Sequence, residues 1–162
     1  MSNIQIYIKL PLYEKEWCEH HFGRPAVFPT GTNLNHVIRH FSRTRPQGIV
    51  PDTQQEGELA ILLLGSQSKK PEVYNYIPHY GKIAIAEAID DLFVMHMWED
   101  LSDISKRNVQ LSLLVLDWME SNGITRTGNN YENLRMKFQR IKDRYRKSAG
   151  INVSRGYKHE RH

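Results

Sequence analysis

The 162-residue sequence holds a single cysteine, Cys18, so no intrachain disulfide framework can staple the fold. That usage suits a reducing compartment, and bacterial or phage cytoplasm is the expected location. No stretch has the roughly 20 uninterrupted apolar residues of a membrane span. The opening "MSNIQIYIKLPLYEKEW" lacks the charged start and apolar middle of a signal peptide, so no membrane partner is expected. There is no Gly-rich phosphate loop, no Ser/His/Asp grouping and no activated-Cys pattern. Those gaps speak against nucleotide-dependent and nucleophilic enzymes, and no cofactor is expected.

What is present is ordinary in amount and uneven in placement. With 40% hydrophobic and 25% charged residues, the chain reads as one soluble globular protein. The net charge is +4, yet residues 126–162 hold eleven Lys/Arg against Glu132, Asp143 and Glu160, an excess of eight. Residues 1–125 hold eleven basic and fifteen acidic groups. A basic end on an acidic body is the asymmetry of a chain whose end meets nucleic acid or another anionic surface.

The periodicities predict an α+β protein: a small β-sheet with helices in the N-terminal half and a helical C-terminal half. "IQIYIKL" alternates like a half-buried strand. Pro11 opens a helix that Gly23 ends, with Leu12, Trp17 and Phe22 as its apolar side. "PAVFP" is extended. "TNLNHVIRHFSR" is a helix capped by Thr32 or Asn33, with Leu34, Val37, Ile38 and Phe41 inward. "LAILLLG" reads as a central strand. Loops rich in Pro, Gly and Gln precede and follow it. From Gly81 come "KIAIAEAIDDLFVMHMWEDL" and "SKRNVQLSLLVLDWMES", two buried helices, the second stopped by Asn122-Gly123. The expected organisation is an α+β subdomain over 1–80, a helical subdomain over 81–150 and a flexible basic tail over 151–162.

The stretch "NYENLRMKFQRIKDRYRK", 130–147, spaces Tyr131, Leu134, Phe138, Ile141 and Tyr145 by three and four. That is one narrow apolar seam along a helix. Asn129 and Glu132 have capping-box spacing, and Gly150 is the expected stop. Arg135, Lys137, Arg140, Lys142, Arg144, Arg146 and Lys147 fill most of the remaining surface, with Gln139 among them. Cations laid on phosphates release counterions, and a helix fits the major groove. Double-stranded DNA is therefore the expected partner. Arg135, Gln139, Arg140 and Arg144 are candidates to read bases. Tyr145 or Tyr157 could stack, and Arg155 and Lys158 in the tail would add phosphate contacts. The simpler alternative is a solvated helix whose charges serve solubility. The helix before this one makes the pair resemble a helix-turn-helix, although the connection is longer than the three or four residues of that motif. An extended-turn trihelical variant is the better description.

Other groupings are weaker. Cys18, His21, His36 and His40 have a zinc-like spacing, but His36 and His40 lie opposite their helix's apolar face, so no metal is expected. With Arg39, Arg43 and Arg45 they equally form a second phosphate-contacting surface. Glu87, Asp90, Asp91, Glu99, Asp100 and Asp103 invite a nuclease reading, yet the Lys of a nuclease motif is missing and a solvated acidic face is simpler. Asp117, between Leu116 and Trp118, is expected in a buried salt bridge.

Three stretches, "PLYEKEWCEHHFGRPAVFPTGTNLNHVIRHF", "YNYIPHYGKIAIAEAIDDLFVMHMWEDL" and "VLDWMESNGI…NYENLRMKFQRIKDRYRK", span most of the chain. They resemble a group of small proteins encoded on phages and on conjugative or transposable elements of Bacteroidales. Its members are described as uncharacterised or as transposon-related DNA-binding proteins. The likeness is strongest in "WEDL", "WMESNGI" and "NYENLRMKFQR…RYRK". It implies a bacterial mobile-element setting and a DNA-binding rear half, and it assigns no catalytic residue and no target sequence. The sequence reading is thus a non-enzymatic DNA-binding protein, with a homodimer through the edge of the first strand open to it. Alternatives are a protein-interaction module that docks the basic helix on an acidic partner or on the 87–103 face of another copy, RNA binding, and a small metal-dependent nuclease.

Overall fold

The computed structural model describes residues 3–102 and 109–161, with side chains of the last helix described through Lys147. Its elements are β1 (Gln5–Lys9), α1 (Leu12–Phe22), α2 (Asn33–Phe41), β2 (Glu58–Leu62), α3 (His79–Leu101), α4 (Leu111–Ser121) and α5 (Asn130–Arg161). The fold is mixed α+β and mostly helical: five helices and one two-stranded antiparallel sheet among the described residues. No described helix is long and apolar enough to cross a membrane.

The strands form where the alternation asks for them. Ile6 lies opposite Ile61 and Ile8 opposite Leu59, and all four side chains are buried. β2 is paired along both edges. β1 pairs along one. On the other the Ala26 N–H donates to the Ala60 carbonyl and the Leu62 N–H to the Ala26 carbonyl, each at 2.9 Å. The "PAVFP" piece is therefore a third, one-residue partner of the sheet.

Thr32 caps α2, its Oγ1 accepting the Asn35 N–H at 3.3 Å. Leu34 and Ile38 turn inward while His36 and His40 are exposed. α1 departs from its expected face. Trp17 is buried as expected, but Leu12 is 41% exposed, and Tyr13, Glu14 and Cys18 point inward with Trp17. The inward face follows the i, i+1, i+4, i+5 positions, so it collects a carboxylic acid together with the aromatics.

α3 is the spine. Its buried residues Gly81, Ile85, Ile89, Phe93, Met97 and Leu101 recur every four positions. At about 100° per residue each step advances the buried line by roughly 40°, so its two ends face nearly opposite ways. Along its length α3 meets α1, α2, β1, α4 and α5. Gly81 lets α2 approach, since a Cβ there would stand 3.0 Å from the Phe41 Cβ. Phe93 sits at the centre, fully buried, with ring centroids of Tyr13, Trp17 and Trp118 5.4–5.5 Å away. One core therefore runs across the boundary expected near residue 80.

α4 begins at Leu111, six residues later than the pattern from Ser105 predicts; 103–108 lie outside the described residues. Its end is as expected. The Ile124 N–H donates to the Met119 carbonyl at 2.9 Å and the Gly123 N–H to the Glu120 carbonyl at 3.4 Å, with Gly123 at φ 71°. This is a Schellman stop, and it needs the left-handed residue. A Cβ on Gly123 would also fall 2.6 Å from the His20 Nδ1, because the turn packs on α1. Gly123→Ala should cost about 1–3 kcal/mol in urea denaturation, from αL strain plus displacement of the His20 ring. A loss under about 0.5 kcal/mol would show that the turn and α1 are not so closely apposed. Asp117, expected in a buried salt bridge, is exposed; it is Asp100 that accepts the Trp118 Nε1–H, at 2.8 Å. The neighbouring apolar residues turn inward and leave Asp117 on the water side.

Candidate nucleic-acid interface

Three tethers hold α5 against the body. At its start, Asn130 is buried, and its Nδ2 donates to Glu16 Oε1 at 2.8 Å and to the Thr125 carbonyl at 2.9 Å. Thr125 Oγ1 also donates to the Glu16 carboxylate. Asn129 makes no side-chain cap among the described residues, so the capping box is replaced by this link from α1. In the middle, Leu134, Phe138 and Ile141 are buried and Lys137 Nζ donates to Asp90 Oδ1 at 2.7 Å. Further on, Tyr145 stacks on Trp98 with centroids 4.2 Å apart and planes 6° from parallel. Tyr145 thus serves docking, and its ring face on that side is taken.

The seam from Tyr131 to Tyr145 is where the spacing places it. The rest of the surface divides into two rows. Arg135, Gln139, Lys142 and Arg146 lie along one side, and Arg140, Arg144 and Lys147 along another, roughly 140° around the helix at 100° per residue. Arg135, Gln139, Arg140, Arg144, Arg146 and Lys147 are exposed, and Lys142 is half-buried. Between the rows stand Glu132, Met136 and Asp143. Arg135 meets Glu132 at 3.4 Å, and Gln139 Nε2 donates to Asp143 Oδ1 at 3.3 Å. Among the described residues no carboxylate is within ion-pair distance of Arg140, Lys142, Arg144, Arg146 or Lys147. Five cations over two turns, unneutralised, raise one another's energy until an anion arrives.

Lys137 is different from the rest. Its side chain is only 14% exposed and is spent on Asp90, so it is an anchor and not a free contact. α5 continues through Gly150 to Arg161, where a stop and a flexible tail are expected. Glycine inside a helix costs only about 1 kcal/mol, and stops one only in a left-handed conformation. Arg155 and Lys158 fall on this extension, and their side chains lie outside the described residues, as does that of Tyr157.

Behind Lys137 is a cluster that the charge pattern of α5 does not reveal. Glu14 of α1 is 2% exposed and sits beside Asp90 of α3, Tyr13 and Lys137. Burial raises its carboxyl to about 8, the hydrogen bond and charge of Asp90 push the same way, and Lys137 only partly offsets them. Burial also raises the Tyr13 hydroxyl. For Lys137, burial favours the neutral form, but its hydrogen bond to Asp90 and the neighbouring Tyr13 and Glu14 outweigh it and keep the ammonium charged. Glu14 shares a helix face with Trp17 and Cys18, at i+3 and i+4, and that spacing is the one sequence signal of its burial.

The unfolded Glu14 carboxyl releases its proton near 4.5 and the folded one near 8. Between those values the folded state holds the extra proton, so stability falls as pH rises through that window and levels off above it. Glu14→Gln keeps the donor to Asp90 and removes the ionisation. It should be the more stable protein at pH 8.5 by at least about 1 kcal/mol, and near neutral at pH 5. The difference between the two denaturation series separates Glu14 from the histidines, and a flat difference would show that Glu14 is not held in its acid form.

The second charged surface is partly used up. Lys69 Nζ donates to the Arg39 and Ser42 carbonyls at the end of α2, at 2.9 and 3.1 Å. Burial and the neighbouring Arg43 and Arg39 lower its ammonium. Arg45 donates to Asn75 Oδ1. His21 Nε2 is 2.7 Å from Asn122 Oδ1, Cys18 is buried, and no described group of three His, Cys, Asp or Glu could hold a metal ion.

Comparison with known proteins returns no match to a family model, a curated protein or a solved structure. What the interface can do rests on its own chemistry.

Proposed function

We propose that the protein binds double-stranded DNA through the exposed rows of α5 and is a binding protein, not an enzyme. The observation that supports this is a docked helix on which Arg140, Lys142, Arg144, Arg146 and Lys147 have no carboxylate within ion-pair distance among the described residues. α3, α4 and α5 act together as a trihelical, helix-turn-helix-like unit with an eight-residue connection, 122–129. The two rows follow the phosphates on either side of a major groove when the sequence is random; at a specific site Gln139 reaches base edges, and Arg135, Arg140 and Arg144 exchange a phosphate for a base edge. The setting is the cytoplasm of a bacterium carrying a phage or mobile element, as the resemblance implies.

The test is a salt titration of binding to random-sequence duplex DNA. Six phosphates met by Arg135, Arg140, Lys142, Arg144, Arg146 and Lys147 would give a slope of about −5 in log affinity against log salt. A slope flatter than about −2 would remove the electrostatic basis of the reading. Selection from a random duplex pool then reports specificity, and a palindromic motif would report a homodimer. Tighter binding to structured RNA, or binding to an acidic protein that survives nuclease, would replace DNA as the partner.

A further inference from the structure

A cavity of about 240 Å³ lies among the start of β1, the segment before α3 and the first turn of α3. It is smaller than the sites that drug-sized ligands occupy, about 300–1,000 Å³, so its occupant is a short molecule. Ile4, Ile6 and Ile77 give it an apolar lining, and Arg45, Asp52 and Lys82 give it charge. Backbone pairing holds its frame. Arg43 and Tyr76 exchange two N–H···O bonds, at 2.8 and 3.0 Å, which seat the segment before α3 against the chain leading to Arg45.

The charges that line the cavity do not cancel. Lys82 Nζ donates to Asp52 Oδ2 at 2.7 Å, and that pair sums to zero. Arg45 is left over. It is half-buried, and among the described residues no carboxylate is within ion-pair distance of it. What holds it is a neutral group: one guanidinium nitrogen donates to Asn75 Oδ1 at 2.8 Å. Asn75 is itself fixed, its Nδ2 donating to the Pro71 and Glu72 carbonyls at 2.9 and 3.2 Å. The amide therefore orients the guanidinium and leaves its charge whole. A guanidinium carries five N–H donors in a planar fork and stays ionised, so an oriented and unneutralised one favours an anion. A carboxylate matches the fork with two oxygens. An inorganic anion would meet the charge but leave the isoleucine lining unused, whereas a short alkyl stem covers it.

We propose that this cavity binds a short aliphatic monocarboxylate, its carboxylate on Arg45 with Lys82 beside it and its stem along Ile6 and Ile77. One negative charge brings the cavity to neutrality. Lys82 keeps Asp52 and has two further N–H groups for the ligand. The site shares no residue with the rows of α5. It is independent of the DNA reading, and its test needs no nucleic acid.

The experiment titrates the whole protein with n-butyrate, acetate, inorganic phosphate, n-butanol and n-butylammonium at constant ionic strength, followed by amide chemical shifts. Butyrate should bind at least about tenfold more tightly than butanol or butylammonium. It should also exceed acetate by about tenfold, since two more methylene groups are buried. Arg45→Gln, which can still donate to Asn75, should abolish the preference for butyrate over butanol. Lys82→Met, which leaves Arg45 in place and frees Asp52, should weaken butyrate at least about threefold. Arg126→Gln, an exposed cation elsewhere, should change nothing. Equal affinities for butyrate and butanol would overturn the proposal, as would an unchanged preference in Arg45→Gln or shifts that map away from Ile6, Arg45 and Ile77. Phosphate or acetate binding as tightly as butyrate would overturn the aliphatic part and leave a plain anion site in its place.

Discussion

Replacing Arg140 and Arg144 together by glutamate is expected to lower affinity for duplex DNA at least about 100-fold near 0.1 M salt and to flatten the salt slope by about two. Both residues are exposed and without a carboxylate partner, and they stand one turn apart in the same row. The substitution removes two phosphate contacts and brings two negative groups to the phosphates. Stability should change by no more than about 0.5 kcal/mol, because nothing in the described structure leans on either side chain. The companion variant is Lys137→Met. Lys137 is on the same helix and carries the same charge, but it points to Asp90. It should disturb stability and leave the salt slope within about one of the parent. If Lys137→Met flattened the slope as much as the arginine pair, the rows would not be the contact surface. Asp143 stands between the rows, so Asp143→Asn should strengthen non-specific binding modestly, in the same assay.

Phe93→Ala is expected to cost about 3–5 kcal/mol, a large part of the 5–15 kcal/mol that holds a typical domain. Phe93 is fully buried, and the Tyr13, Trp17 and Trp118 rings surround it from α1 and α4. A methyl group there leaves a cavity that three aromatic rings cannot close without moving off their rotamers. Chemical denaturation should show the midpoint lowered with an unchanged dependence on denaturant. The same variant should weaken DNA binding only in proportion to the unfolded fraction, since α5 is tethered by Glu16, Asp90 and Trp98 and not by Phe93. A loss below about 1 kcal/mol would mean that α1, α3 and α4 do not share one core.

Much of this architecture can be read from the chain. The alternation of Ile4 to Leu10 and the run from Leu59 determine the two strands. Thr32, Gly123 and the spacing from Tyr131 to Ile141 determine a cap, a stop and a seam, because each is a local demand of backbone geometry. Other features escape for physical reasons. Leu12 looks apolar and stays exposed, because which face of α1 turns inward depends on what packs there. Lys137 resembles its neighbours in sequence and differs from them only because Asp90, 47 residues earlier, reaches it. Tyr145 continues the seam, yet Trp98 is what docks it.

By itself the sequence determined the charge asymmetry, the elements and the narrow apolar seam of the basic helix, since these follow from composition and local periodicity. Tertiary structure alone decided which of the seven cations of 135–147 are free, which one is an anchor, and that Glu14 is buried beside Asp90. The reason is that burial and ion pairing are set by neighbours distant in the chain, and a carboxyl or an ammonium has no fixed charge or reach until those neighbours are in place.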